Sequence, residues 1–175
     1  MTNAENAVIV KDSMMNTLFE LMKEKNYEAI TLTEIASGAG YGRATLYRYF
    51  QSKEDMIRYY FEKHAGMFAD ISSLPVQTKD DYYEIIFRVF STLKESKEYV
   101  KLIMKADLEI LYLDFMNKAM AENFEKNKYA DSKYASFYFA GALFNVSMEW
   151  IRNDCEESVK KVSDTYFDLL FIDME

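Results

Sequence analysis

Residues Thr31–Lys53, TLTEIASGAGYGRATLYRYFQSK, constrain this chain more than any other stretch. They hold two short helical patterns on either side of a glycine-bearing turn. Thr31 and Glu34 have the spacing of a capping box: the threonine oxygen accepts from a first-turn N–H, and the glutamate reaches back to the threonine N–H. Ile35 and Ala36 give the following helix one buried face. Gly40 can take the positive φ that a sharp turn between helices needs. A second helix is predicted to begin near Gly42 and carries Arg43 and Arg48, with Lys53 beyond Phe50. This is the layout of a helix-turn-helix, whose second helix enters the major groove of DNA.

The segment resembles the TetR family of bacterial transcriptional regulators, whose pattern runs roughly T-x-x-x-I-A-x-x-A-G-V-S-x-x-T-L-Y-x-H-F-x-S-K-E. Thr31, Ile35, Ala36, Ala39, Gly40, Thr45, Leu46, Tyr47, Phe50, Ser52, Lys53 and Glu54 stand at matching places, and the likeness extends over about residues 10–60. Three positions depart from it. Tyr41 replaces a small aliphatic residue, Tyr49 replaces histidine, and Gly42 replaces serine, which removes a side-chain cap. The string FYFAGALFNVSMEWIRND also looks like the regulatory domain of some firmicute members, including regulators of dihydroxyacetone kinase operons.

Composition agrees with a helical chain. At 175 residues it can bury one or two cores, half of it is hydrophobic, and one proline and five glycines leave little to interrupt helices. The single cysteine, Cys155, excludes an internal disulfide and fits a reducing cytoplasm. No signal peptide is evident, and no apolar run is long enough to span a membrane. The net charge of −8 argues at first against nucleic acid. Its distribution answers that: Tyr41–Lys53 holds three basic residues and no acid, and most of the acidity lies after residue 60.

Along the chain the periodicity predicts about nine helices and no strand. A first helix over roughly 5–25 carries Met15, Leu18, Phe19 and Met22 on one stripe, with Asn26 as a left-handed terminator. Ser52-x-x-Asp55 opens a helix through about Ile71, and Pro75 marks a boundary. Thr78-x-x-Asp81 caps a fifth helix, Ser96 a sixth, and a seventh runs from Leu108. Asn127–Asp131 reads as a loop, and Asn153-Asp154 ends an eighth helix over about 132–152 that is apolar nearly all round. The domains expected are 1–51, a helix-turn-helix domain; 52–74, a connecting helix; and 75–175, an effector-binding and dimerisation bundle.

A helix as apolar as the eighth needs cover, which a second subunit would supply. The resemblance implies a four-helix dimer interface from the last two helices, here with Phe137, Ala140, Gly141, Phe144, Met148, Tyr166 and Leu170. For DNA, Arg43 is the candidate base reader, with a phosphate contact as the alternative. Gly42 and Ala44 allow close approach. The resemblance places Thr45, Tyr47 and Tyr49 at phosphates, and Tyr47 can also pack its ring inward. Thr31, Thr33 and Lys53 face the same side, and Arg48 either reaches the backbone or is solvated. Effector contacts are expected from His64, Phe68, Phe90, Met104 and Tyr112, although a histidine placed like His64 is more often a surface or internally satisfied residue.

The chain is therefore read as an all-α regulator with a three-helix DNA-binding domain. It is expected to act as a homodimer on double-stranded, palindromic operator DNA and to be a repressor released by an unknown small-molecule effector. An activator is the variant reading. A helical ligand-binding or protein-interaction module that does not itself bind DNA is the alternative outside that class. One His and one Cys, no phosphate-cradling glycine loop and no metal-spaced set call for no enzyme activity, cofactor or metal, and no membrane partner is expected.

Overall fold

The computed structural model describes residues 2–64, 78–127 and 133–170. Among them are nine α-helices, one 3-10 turn and no strand. Phe68, Pro75, the second half of the connecting helix and most of the Asn127–Asp131 loop lie outside the described residues. The helices are α1 (Asn3–Glu24), α2 (Leu32–Gly38), α3 (Arg43–Tyr49), α4 (Lys53–His64), α5 (Lys79–Glu95), α6 (Lys97–Lys105), α7 (Ile110–Asn127), α8 (Lys133–Arg152) and α9 (Val159–Leu170). They form two compact units: residues 1–63 with 102–111, and residues 64–101 with 112–175.

In the first unit, α1 starts earlier than its apolar stripe suggests, because Thr2 caps it. The Glu5 N–H donates to Thr2 Oγ1 at 3.2 Å, and the Thr2 N–H donates to Glu5 Oε2 at 2.7 Å. Met14, Met15, Leu18, Phe19 and Met22 are buried along one face. Asn26 is not a left-handed terminator: its φ is −62° and ψ 139°. The helix ends on extended Lys25, and the Asn26 carbonyl accepts from Ala29 at 3.0 Å, opening a 3-10 turn over Tyr27–Ala29. The turn carries the Tyr27 side chain into the interior.

The turn between α2 and α3 is a Schellman motif. Gly40 has φ +78°, its N–H donates to Ser37 at 3.0 Å, and the Tyr41 N–H donates to Ala36 at 2.8 Å. Gly38 matters for another reason. A Cβ there would stand 2.8 Å from Thr17 Cγ2, so the glycine lets α2 approach α1.

In the second unit, α5 is capped by a reciprocal Thr78–Asp81 pair and buries Ile85, Ile86, Val89, Phe90 and Leu93. It packs against α9 and α8. The Tyr83 hydroxyl donates to Asp164 Oδ1 at 2.6 Å, and Phe90 meets Trp150 and Tyr166 edge-on with centroids 5.5 and 6.0 Å apart. Burying a side chain like Phe90 contributes about 1.5–3 kcal/mol.

Two further expectations need correcting. Ser96 does not cap α6 with its side chain; its hydroxyl donates back to the Thr92 carbonyl at 2.6 Å, and its own carbonyl accepts the first α6 amides. The seventh helix begins at Ile110, not Leu108. Leu108 closes a Schellman turn at the end of α6, in which Asp107 takes φ 55°. The same motif ends α8 at Asp154, φ 57°, as the sequence suggested.

Candidate nucleic-acid interface

Helix α3 is anchored by Leu46 and Phe50, 0% and 2% exposed. Four residues apart, they share its inner face. The same periodicity turns Arg43, Ala44, Tyr47 and Arg48 to solvent, and all four are exposed. Neither arginine has a hydrogen bond or ion pair among the described residues, so two guanidinium groups stand on a helix surface with their donors uncommitted. Gly42 occupies the N-cap without a side-chain bond. A Cβ there would meet nothing within 4 Å, so its lack of a side chain answers no internal packing need.

Thr31 and Thr33 sit at the start of α2. Thr33 is exposed. The Thr31 hydroxyl donates to Glu34 Oε2 at 2.9 Å and accepts from the Glu34 N–H at 3.2 Å, so its one proton is committed to the cap. Glu34 is held down to about 2, first by Lys25 and then by Thr31.

Helix α4 opens beside this surface. Ser52 and Asp55 cap each other, and the Gln51 N–H joins Asp55 Oδ2 at 2.9 Å. The Lys53 ammonium donates to the Tyr27 carbonyl at 2.6 Å and lies 4.0 Å from the centre of the Tyr27 ring. The Tyr27 hydroxyl donates to Glu54 Oε1 at 2.6 Å. Burial, and then this bond, drive the Tyr27 phenol far above its ordinary value; at Glu54 burial pushes the carboxyl up, but the Tyr27 bond, hydrogen bonds from its own backbone and Ser52, and the Lys53 charge together keep it below the usual range.

A second tie joins α4 to α1. Asp12 accepts from the Tyr59 hydroxyl at 2.9 Å and from Lys63 at 2.7 Å, while Lys11 lies 4.4 Å from the Tyr59 ring centre. The helix that begins at Lys53 is thereby clamped along its length to the scaffold carrying the helix-turn-helix. Exposed basic and small residues on one helix, with lysine at the start of the next, suit a polyanion groove.

Residues 15–60 match the model of the bacterial regulatory proteins of the tetR family, and residues 80–171 match a transcriptional regulator C-terminal region. The second match alone covers more than half of the chain. The chain belongs to the TetR family. As a TetR-family protein it is a DNA-binding transcriptional regulator.

Among its relatives, the uncharacterized HTH-type transcriptional regulator YvkB of Bacillus subtilis is 28% identical over 92 residues, 53% of this chain and 47% of that one. The chain thus spans about half the length of that relative. A transcriptional regulator FadR from Bacillus subtilis, solved in complex with stearoyl-CoA, superposes with a TM-score of 0.60 at 21% identity, covering 93% of this chain and 98% of that one. The dihydroxyacetone kinase operon activator DhaS gives a TM-score of 0.65 at 19% identity over 93% and 94% of the two chains. At these identities the two structures show the shared fold.

The remaining candidate residues of this regulator divide. His64 and Met104 are half-buried. Phe90 fills the core at Trp150 and Tyr166, and buried Tyr112 tilts against Phe144 with centroids 6.2 Å apart. Three of the residues expected at a dimer face are inside their own subunit: Ala140, Met148 and Tyr166 are 0%, 1% and 1% exposed. Buried within their own subunit, they offer a partner no surface. Phe137 is exposed, as are Tyr134, Tyr138 and Leu169, while Gly141, Phe144 and Leu170 are half-covered. Cys155 is buried, and burial pushes its thiol up, away from reactivity. No helix among the described residues is long and apolar enough to cross a membrane.

Sequence reasoning missed Asp12, Tyr27 and Gly38. Tyr27 carried a readable signal, an aromatic residue placed four positions before a capping box.

Proposed function

We propose that this regulator is a repressor that binds a palindromic operator as a homodimer and leaves it when an apolar, acyl-like effector enters residues 75–175. The observation that carries the DNA half is the pair of uncommitted guanidiniums on the solvent face of α3. Arg43, Ala44 and Gly42 approach base edges; Thr33, Thr45, Tyr47, Arg48, Tyr49 and Lys53 hold phosphates. Residues 1–51 form the DNA-binding domain, and 52–74 connect it to the effector and dimerisation domain. The stearoyl-CoA bound to the structurally similar FadR supports the effector class. Phe137, Gly141, Phe144 and Leu170, joined by exposed Tyr134, Tyr138 and Leu169, supply the dimer surface.

The test is binding to a duplex carrying the region upstream of its own gene, with and without stearoyl-CoA. Salt-sensitive binding that falls when the thioester is added supports the reading. Absence of any binding at low salt would favour a helical module without DNA recognition. Binding unchanged by stearoyl-CoA would reject the acyl-like effector.

A further inference from the structure

We propose that Tyr27 is a positioning residue for DNA binding: it aims the Lys53 ammonium at the phosphate backbone. This rests on the reading of Lys53 as a phosphate contact. A lysine side chain has four rotatable bonds, and an exposed one samples many rotamers. Lys53 is instead held at two points by one residue. Its ammonium donates to the Tyr27 carbonyl at 2.6 Å and rests 4.0 Å from the ring centroid.

Tyr27 is itself fixed from three directions. Its carbonyl also accepts from the Ile30 N–H at 3.0 Å, closing the 3-10 turn. Its side chain is buried. Its hydroxyl donates to Glu54 Oε1 at 2.6 Å. That last bond has a second effect. Glu54 is the chain neighbour of Lys53 and the nearest carboxylate in sequence. The tyrosine hydroxyl occupies that carboxylate, so the ring lies between a carboxylate held at its hydroxyl and an ammonium held on its face. An ammonium has three donors, and two remain for a phosphate after the carbonyl takes one.

The experiment compares the salt dependence of binding to the upstream duplex for the full-length protein and three variants. Lys53→Ala is expected to lower the slope of log affinity against log salt by about one, the signature of one lost phosphate contact. Tyr27→Met fills the volume without an aromatic face and is expected to lower the slope by the same amount. Adding Lys53→Ala to it should change the slope no further. Both Tyr27 substitutions keep the backbone carbonyl; Tyr27→Phe also keeps the ring face and loses only the bond to Glu54, so it is expected to lower the slope less than Tyr27→Met, and a loss as large as that of Tyr27→Met would overturn the role of the ring. A loss of stability alone would lower the fraction of active protein and leave the slope intact. Should Tyr27→Met not fold, nuclear magnetic resonance of the wild-type operator complex decides: the Lys53 Cε protons should carry an upfield ring-current shift, and its absence overturns the proposal. A slope lowered by Lys53→Ala but unchanged in Tyr27→Met overturns the role of Tyr27 alone. A slope unchanged by Lys53→Ala removes Lys53 from the DNA and the proposal with it.

Discussion

Gly40 and Gly42 are two residues apart, and their environments ask different things of them. Gly40 has φ +78° with open space around its missing Cβ, so its requirement is conformational. Gly40→Ala should cost about 1–2 kcal/mol of stability, since an L side chain meets the carbonyl in that region. Chemical denaturation, with a lowered midpoint and an unchanged m-value, checks it. Gly42 has φ −81°, and a serine there would restore the side-chain cap the helix lacks. Gly42→Ser is therefore expected to stabilise the protein by a few tenths of a kcal/mol, read as a slightly higher melting temperature. Arg43→Ala carries the readout: it should cost about 1–3 kcal/mol on the operator and relax specificity at one base position. Equal weakening on every duplex would assign Arg43 to a phosphate instead. At this scale the sequence was most readable where a residue's role is local. The caps at Thr31, Ser52 and Thr78 and the glycine turn follow from spacing. Gly38 against Thr17 and Asp12 against Tyr59 join residues far apart in the chain, which spacing cannot reveal.

Elements were legible wherever apolar periodicity and caps agreed, as in α5. The start of α7 lies later than its apolar pattern because an αL turn is built on Asp107; Asp154 makes the same turn at the end of α8, each short polar side chain tolerating the conformation. Burial could not be read from α8 by composition. Its apolar residues surround the helix, but only the fold distinguishes Ala140 and Met148, which pack inward, from Phe137, which does not. Elements are also joined by tyrosine hydroxyls, and this gives a pH dependence. Tyr59 is pushed up to about 12 by burial and then by its bond to Asp12, and Tyr82 up to about 12 by burial. Folding thus favours the protonated phenols. That stabilisation is whole below pH 10, where the unfolded phenols are also protonated, and is lost as the pH climbs from 10 to about 12. Thermal melts across this interval should show a falling midpoint. Tyr59→Phe, which cannot ionise, should fall less steeply.

For the whole molecule, the account needs two subunits and two states. The exposed aromatic residues of α8 predict that Phe137→Asp shifts sedimentation toward monomer and weakens operator binding more than it changes stability. Sedimentation of the wild type as a stable monomer at micromolar concentration would remove the dimer. The family and the DNA-binding motif were written in Thr31–Lys53; the effector was not. An apolar pocket draws on the same residue types as an apolar core, and Phe90, fully buried against Trp150 and Tyr166, has the character of both. Ligand response requires that operator and effector prefer different states, and linkage then makes their effects on each other equal. The most direct test is to measure stearoyl-CoA affinity with and without saturating operator, and operator affinity with and without saturating stearoyl-CoA. The account predicts that each weakens the other by the same factor, about 5–150-fold. Identical affinities in the paired titrations would contradict it, leaving a DNA-binding protein that stearoyl-CoA does not switch.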